Sequence, residues 1–124
     1  MSEFVKIAVD AMGGDNSPKK IIDGIIHNHK SNNKNFYRIF GDKDKIFKNI
    51  NGKVDSNNFE IVHTTNMVKS EDSPLEAAKR GKDTSMWLAI ESVKNKVCDI
   101  VISAGNTGAL LVISKLNLKM LENI

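Results

Sequence analysis

Ile100-Val101-Ile102-Ser103-Ala104-Gly105-Asn106-Thr107-Gly108-Ala109-Leu110 decides the fold of this chain. A short β-branched run stops at Ser103, passes through small and polar residues, and enters a helix-like run from Leu110 to Leu121. That order predicts a strand over 99–103 whose carboxyl end turns straight into a helix capped by Asn106 or Thr107. Several backbone N–H groups then point at one spot, and that spot favours an anion.

The same alternation runs through the rest of the chain. Phe4 to Val9 reads as a first strand stopping at Asp10, followed by the loop Ala11-Met12-Gly13-Gly14-Asp15-Asn16. Ser17-Pro18 has the form of an N-cap with Pro at the first helical position, and Ile21, Ile22, Ile25 and Ile26 recur at helical spacing to about Lys30. Phe36 to Phe40 is a second strand, and Ile46, Phe47 and Ile50 mark a short helix. Phe59 to His63 is a third strand, and residues 64–72 are irregular. Ser73-Pro74-Leu75-Glu76 is a capping-box sequence opening a short helix to about Arg80. Asp83 or Thr84 caps the next helix, whose buried face is expected to be Met86, Trp87, Ile90 and Val93.

Strands alternating with helices imply a parallel sheet covered by helices, with ligands at the carboxyl ends of the strands. Both glycine-bearing loops, 11–16 and 103–108, leave such ends, so they are expected to line one rim.

Composition narrows the function classes. The chain has 124 residues, 40% hydrophobic and 27% charged, as in a single soluble domain with a modest core. Net charge is +3, but nearly all the positive charge is scattered Lys, with Arg only at positions 38 and 80. A diffuse Lys background is not the clustered footprint of a nucleic-acid binder, and no nucleic-acid partner is expected. Cys98 is the single cysteine, so an intrachain disulfide is excluded and a reducing compartment fits. It reads as packing beside a buried strand. The amino terminus lacks a signal-peptide pattern, and no run approaches the ~18 apolar residues of a membrane span.

The chemical motifs each admit a plain structural reading. Asp10-Ala11-Met12-Gly13-Gly14-Asp15 has adjacent glycines, unlike the dinucleotide fingerprint, and serves equally as a ligand-approach loop or a tight turn. Asp10 and Asp15 lack a third ligand, and His27 and His29 point apart on a helix, so no metal site is expected. In Lys79-Arg80-Gly81-Lys82-Asp83-Thr84-Ser85-Met86, Thr84 and Ser85 can donate to a phosphate oxygen and Lys82 can neutralise it; a solvated loop with a capping Asp is the plainer reading. Met86 and Trp87 read as core. Ser103 and Ser114 lie outside a nucleophile elbow, and His63, at a strand end, reads as structural.

Four segments together resemble the amino-terminal part of the PlsX-type phosphate acyltransferases: Lys6 to Asp15, Asp72 to Ala77, Lys82 to Met86, and Ser103 to Leu110, in the family's order and roughly its spacing. The resemblance implies an α/β, Rossmann-like three-layer sandwich with a mostly parallel sheet, truncated after about four strands. On this reading residues 1–124 form the amino-terminal portion of one acyltransferase domain whose carboxyl-terminal remainder is absent. It further implies transfer of a fatty acyl group from acyl carrier protein to inorganic phosphate, giving acyl phosphate for phospholipid synthesis. The implied setting is cytoplasmic, with peripheral association at the inner face of the membrane and a homodimer at full length. No metal or nucleotide cofactor is implied.

Carried onto this sequence, Asn106, Thr107 and Asp83 are the catalytic candidates. Gly13, Gly14, Asp15, Lys82, Thr84, Ser85, Gly105 and Gly108 are the phosphate and substrate candidates, and Lys79 and Arg80 the carrier-protein docking charges. Thr84 stands where the family usually has Ser, and Gly81 where a basic residue is common. The competing readings are an inactive fragment and a different phosphate-binding α/β enzyme of phosphotransacetylase-like type.

Overall fold

A computed structural model describes residues 4–14, 16–103 and 105–117. Strands β1 (Val5–Asp10), β2 (Asn35–Gly41), β3 (Phe59–His63) and β4 (Ile100–Ser103) form one parallel sheet in the order β3-β2-β1-β4. Helices α1 (Lys19–Ser31), α2 (Lys43–Ile50), α3 (Pro74–Lys79), α4 (Ser85–Lys94) and α5 (Thr107–Asn117) connect and cover it. The expected continuation of the last helix to Leu121 lies outside the described residues.

Period-two alternation divides each strand between two faces. Ile7, Val9, Tyr37 and Ile39 pack under Ile22, Ile25 and Ile26 of α1 and Ile46 and Ile50 of α2. Ala8 and Phe40 face the other way, onto Ala89 of α4 and Cys98, with Val62 and Val101 alongside. A further cluster of Val68, Ala77, Met86, Trp87, Ile90, Ala109 and Ile113 joins α3, α4 and α5. Two helical layers thus sandwich the sheet. Met86, Trp87 and Ile90 are core, and Val93 is partly buried. Cys98 is buried as well, and burial pushes its thiol pKa up.

Local chemistry accounts for the element starts. Asp42 caps α2 by accepting from the backbone N–H groups of Asp44 and Lys45. Ser73 and Glu76 form the expected capping box of α3, and Thr84, rather than Asp83, caps α4 by accepting from the Trp87 N–H. His63 Nδ1 accepts from the Lys43 N–H at 3.0 Å, a structural bond at the start of α2.

Two local expectations are corrected. Ser17 does not cap α1: the helix starts at Lys19 after Pro18, and the Ser17 hydroxyl donates back to the carbonyls of Gly13 and Gly14. The helix expected around Ile46, Phe47 and Ile50 is present as α2; its Ile46/Ile50 stripe takes the buried side, and Phe47 is 63% exposed. Among the described residues the strand beside Cys98 is an edge strand, not a buried one. Ile100 and Ile102 share a face with Ile7 and Val9, but no helix covers them among the described residues, and they are 47% and 38% exposed.

Candidate active-site rim

β1 and β4 are hydrogen-bonded neighbours, with Asp10 opposite Ser103, so both glycine loops leave the same rim side by side. They touch through their backbones. A Cβ built on Gly13 would stand 2.9 Å from Gly105 Cα and 3.0 Å from Asp10 Oδ2; one built on Gly105 would stand 2.9 Å from Gly13 Cα. Only residues without side chains allow this approach. Gly14 follows at φ +84°, a left-handed conformation that favours glycine. Asp15 lies outside the described residues.

Asp10 lies beneath the junction, 1% exposed. Its Oδ1 accepts from the Ser85 hydroxyl at 2.6 Å and the Met12 N–H at 3.2 Å, and its Oδ2 from the Ser103 hydroxyl at 2.9 Å. Ser103 Oγ in turn accepts from the Gly105 N–H at 3.1 Å. One buried carboxylate therefore links β1, the first glycine loop, the start of α4 and the second glycine loop. Sequence reading considered Asp10 only as a metal ligand.

A second clasp closes the rim from outside. The Asn106 amide donates to the carbonyl of Asp72 at 2.6 Å, and more weakly to those of Lys69 and Ser70, while its Oδ1 accepts from the Ala109 N–H at 3.0 Å. Asn106, not Thr107, is thus the cap of α5. Asp72 is clamped by Arg80, Nε to Oδ2 at 2.5 Å and an Nη to Oδ1 at 2.8 Å, a charge-assisted fork. This guanidinium, through its hydrogen bonds first, lowers the Asp72 pKa to about 2. Pro74 of α3 packs against α5 where a Cβ on Gly108 would meet its Cγ at 3.2 Å.

These bonds engage several of the expected site residues. The Gly105 N–H is spent on Ser103, and the Asn106 side chain on its cap and loop bonds. Thr84 and Ser85 are fully buried; the Thr84 oxygen caps α4, and the Ser85 hydroxyl faces Asp10 rather than a ligand. Asp83 Oδ2 accepts from the Asn66 amide at 2.5 Å, and the Asp83 carbonyl from the Thr64 hydroxyl at 2.7 Å, tying two loops together. Arg80 is paired with Asp72, whereas Lys79 and Lys82 are exposed. What remains at the start of α5 is the exposed Thr107, with the Thr107 and Gly108 N–H groups unpartnered among the described residues. Beside it, Met12, Gly14, Met67, Val68, Lys69, Ser70 and Glu71 line a cavity of about 260 Å³. No group of three or more His, Cys, Asp or Glu able to hold a metal occurs among the described residues.

A parallel sheet with helices on both faces and two glycine loops meeting at its carboxyl rim is an open α/β arrangement, in which ligands bind at the carboxyl ends of the strands. Comparison with known proteins agrees. A family model described as "Fatty acid synthesis protein" matches residues 5–124. A phosphate acyltransferase of Pelagibacter ubique (strain HTCC1062) is 73% identical over 124 residues, covering 100% of this chain and 37% of the relative. Phosphate acyltransferases of Pediococcus pentosaceus and Clostridioides difficile (strain 630) are each 45% identical over 86% of this chain, and 30% and 32% of their own lengths. The chain belongs to this fatty acid synthesis family and matches the amino-terminal part of its phosphate acyltransferases. It spans about a third of the length of these curated relatives.

Proposed function

We propose that this chain supplies the phosphate-handling rim of an enzyme that moves a fatty acyl group from acyl carrier protein to inorganic phosphate. The supporting observation is the backbone contact of Gly13 with Gly105, in a chain 73% identical to a phosphate acyltransferase. In the reaction a phosphate oxygen attacks the thioester carbonyl, the C–S bond breaks, and the carrier's thiolate leaves, giving an acyl phosphate. The site must hold a multiply charged nucleophile beside a developing oxyanion.

The Thr107 hydroxyl and the N–H groups of Thr107 and Gly108 are the donors for that charge, at the positive end of α5. Gly14 lets the first loop approach the same spot. Lys82 adds positive charge, and Lys79 is the docking charge for an acidic carrier protein. Asn106 and Asp83 hold the loops rather than touch substrate. Full-length dimerisation and peripheral membrane contact belong to this reading of the whole protein; no described helix is long and apolar enough to cross a membrane.

The test is a chimera in which these 124 residues replace the matching segment of the Pelagibacter ubique enzyme. With acyl carrier protein thioester and inorganic phosphate it is expected to form acyl phosphate, whereas the 124-residue chain alone is expected to form none. A chimera that folds yet uses only short acyl-coenzyme A thioesters would favour a phosphotransacetylase-like activity instead.

A further inference from the structure

We infer that Ser103, oriented by Asp10, is a positioning residue that aims the start of α5 at the rim; the inference rests on the acyl-transfer reading above. Ser103 stands at the last position of β4, so its backbone is fixed by the sheet. Its hydroxyl donates to Asp10 Oδ2, which leaves oxygen lone pairs to receive the Gly105 N–H. Asp10 is itself held at its other oxygen, Oδ1, by the Ser85 hydroxyl and the Met12 N–H. Gly105 is then pinned from two sides, by Ser103 Oγ and by the backbone of Gly13. Two residues further on, Thr107 begins α5. Asn106 fixes the same turn independently from the 69–72 loop. Ser103 therefore sets the direction of donors it does not itself provide. A site that must place phosphate against a thioester carbonyl is sensitive to such aim at the level of an ångström.

The chimera carries the kinetic test. Ser103→Ala is expected to raise KM for inorganic phosphate about tenfold, the effect of roughly one lost hydrogen bond, with a smaller change in kcat. Ser103→Thr keeps the hydroxyl and is expected to restore KM to within about threefold of the unmodified chimera. An unchanged KM in Ser103→Ala, or equal impairment of the Ala and Thr variants, overturns the inference. Amide hydrogen exchange on the 124-residue chain gives a readout independent of activity. Ser103→Ala is expected to speed exchange at Gly105 about tenfold, and unchanged exchange overturns the clasp itself. An inactive unmodified chimera overturns the inference together with the acyl-transfer reading. Accelerated exchange at Gly105 would then show that the functional reading had failed, and not the clasp.

Discussion

The Asp72–Arg80 fork turns two charged residues into a fastening for the rim. Asp72 is almost wholly buried, its carbonyl receives the Asn106 amide, and its carboxylate is held by Arg80 and the Lys69 N–H. Because the folded-state pKa is depressed from 3.8 to about 2, the pair's contribution is present above about pH 4 and is lost as pH falls through about 2. Thermal melts should therefore show Asp72→Asn less stable than the parent at pH 6, with the gap narrowing steadily between pH 4 and pH 2. A gap constant over that range would contradict the assignment. Asn106→Ala removes a helix cap and the loop clasp together, and is expected to cost about 1–2 kcal/mol in urea denaturation. Asn106→Asp keeps the capping oxygen but not the donations to the 69–72 loop, and should fall between. These residue-scale roles were out of reach of local sequence reading. Ser85 and Ser103 are 75 and 93 residues from Asp10, and Asn106 is 34 from Asp72, so spacing carries no trace of their meeting.

At the scale of elements, the sequence was far more explicit. β-Branched runs, the Ile stripe of α1 and the capping box at Ser73 place most strands and helices within a residue or two, because short-range sterics and capping bonds act locally. The failures follow from the same reasoning. Ser17 looked like a cap, but the loop carbonyls of Gly13 and Gly14 compete for its hydroxyl. For the turn before α5, sequence reading found the helix start, and the anion preference it expected there belongs to the proposed function. It could not show that the Gly105 N–H is engaged by Ser103 Oγ. Thr107→Ala in the chimera should accordingly lower kcat/KM for phosphate by about one order of magnitude or more, with little change in melting temperature. A fall in stability with unchanged kinetics would make Thr107 a structural residue only.

The whole molecule sets what surrounds the rim. β4 is an edge strand here, and its Ile100/Ile102 face continues into a groove of about 300 Å³ lined by Ile7, Ile21, Gly24, Ile25, Asn28, Tyr37 and Ile102. Leu111 and Leu116 of α5 are also exposed. Apolar patches beside an unpaired edge favour association. The 124-residue chain is thus expected to self-associate in sedimentation velocity at tens of micromolar, and Ile102→Lys to shift it toward monomer. An apolar run such as Ile100-Val101-Ile102 reads as buried until its neighbours are known, which is why sequence alone misjudged this strand. The order β3-β2-β1-β4 matters most, because it puts the two glycine loops side by side. The most direct test of that arrangement is the KM for inorganic phosphate of the chimera carrying Gly13→Ala. The added methyl would stand 2.9 Å from Gly105 Cα, so the loops must separate. Such overpacking costs about 1–3 kcal/mol, and a displaced site can lose about 10²-fold. A folded variant whose phosphate KM rises at least about tenfold is the expected result; a folded variant with unchanged KM and kcat would contradict the claim that the Gly13–Gly105 contact builds the phosphate site.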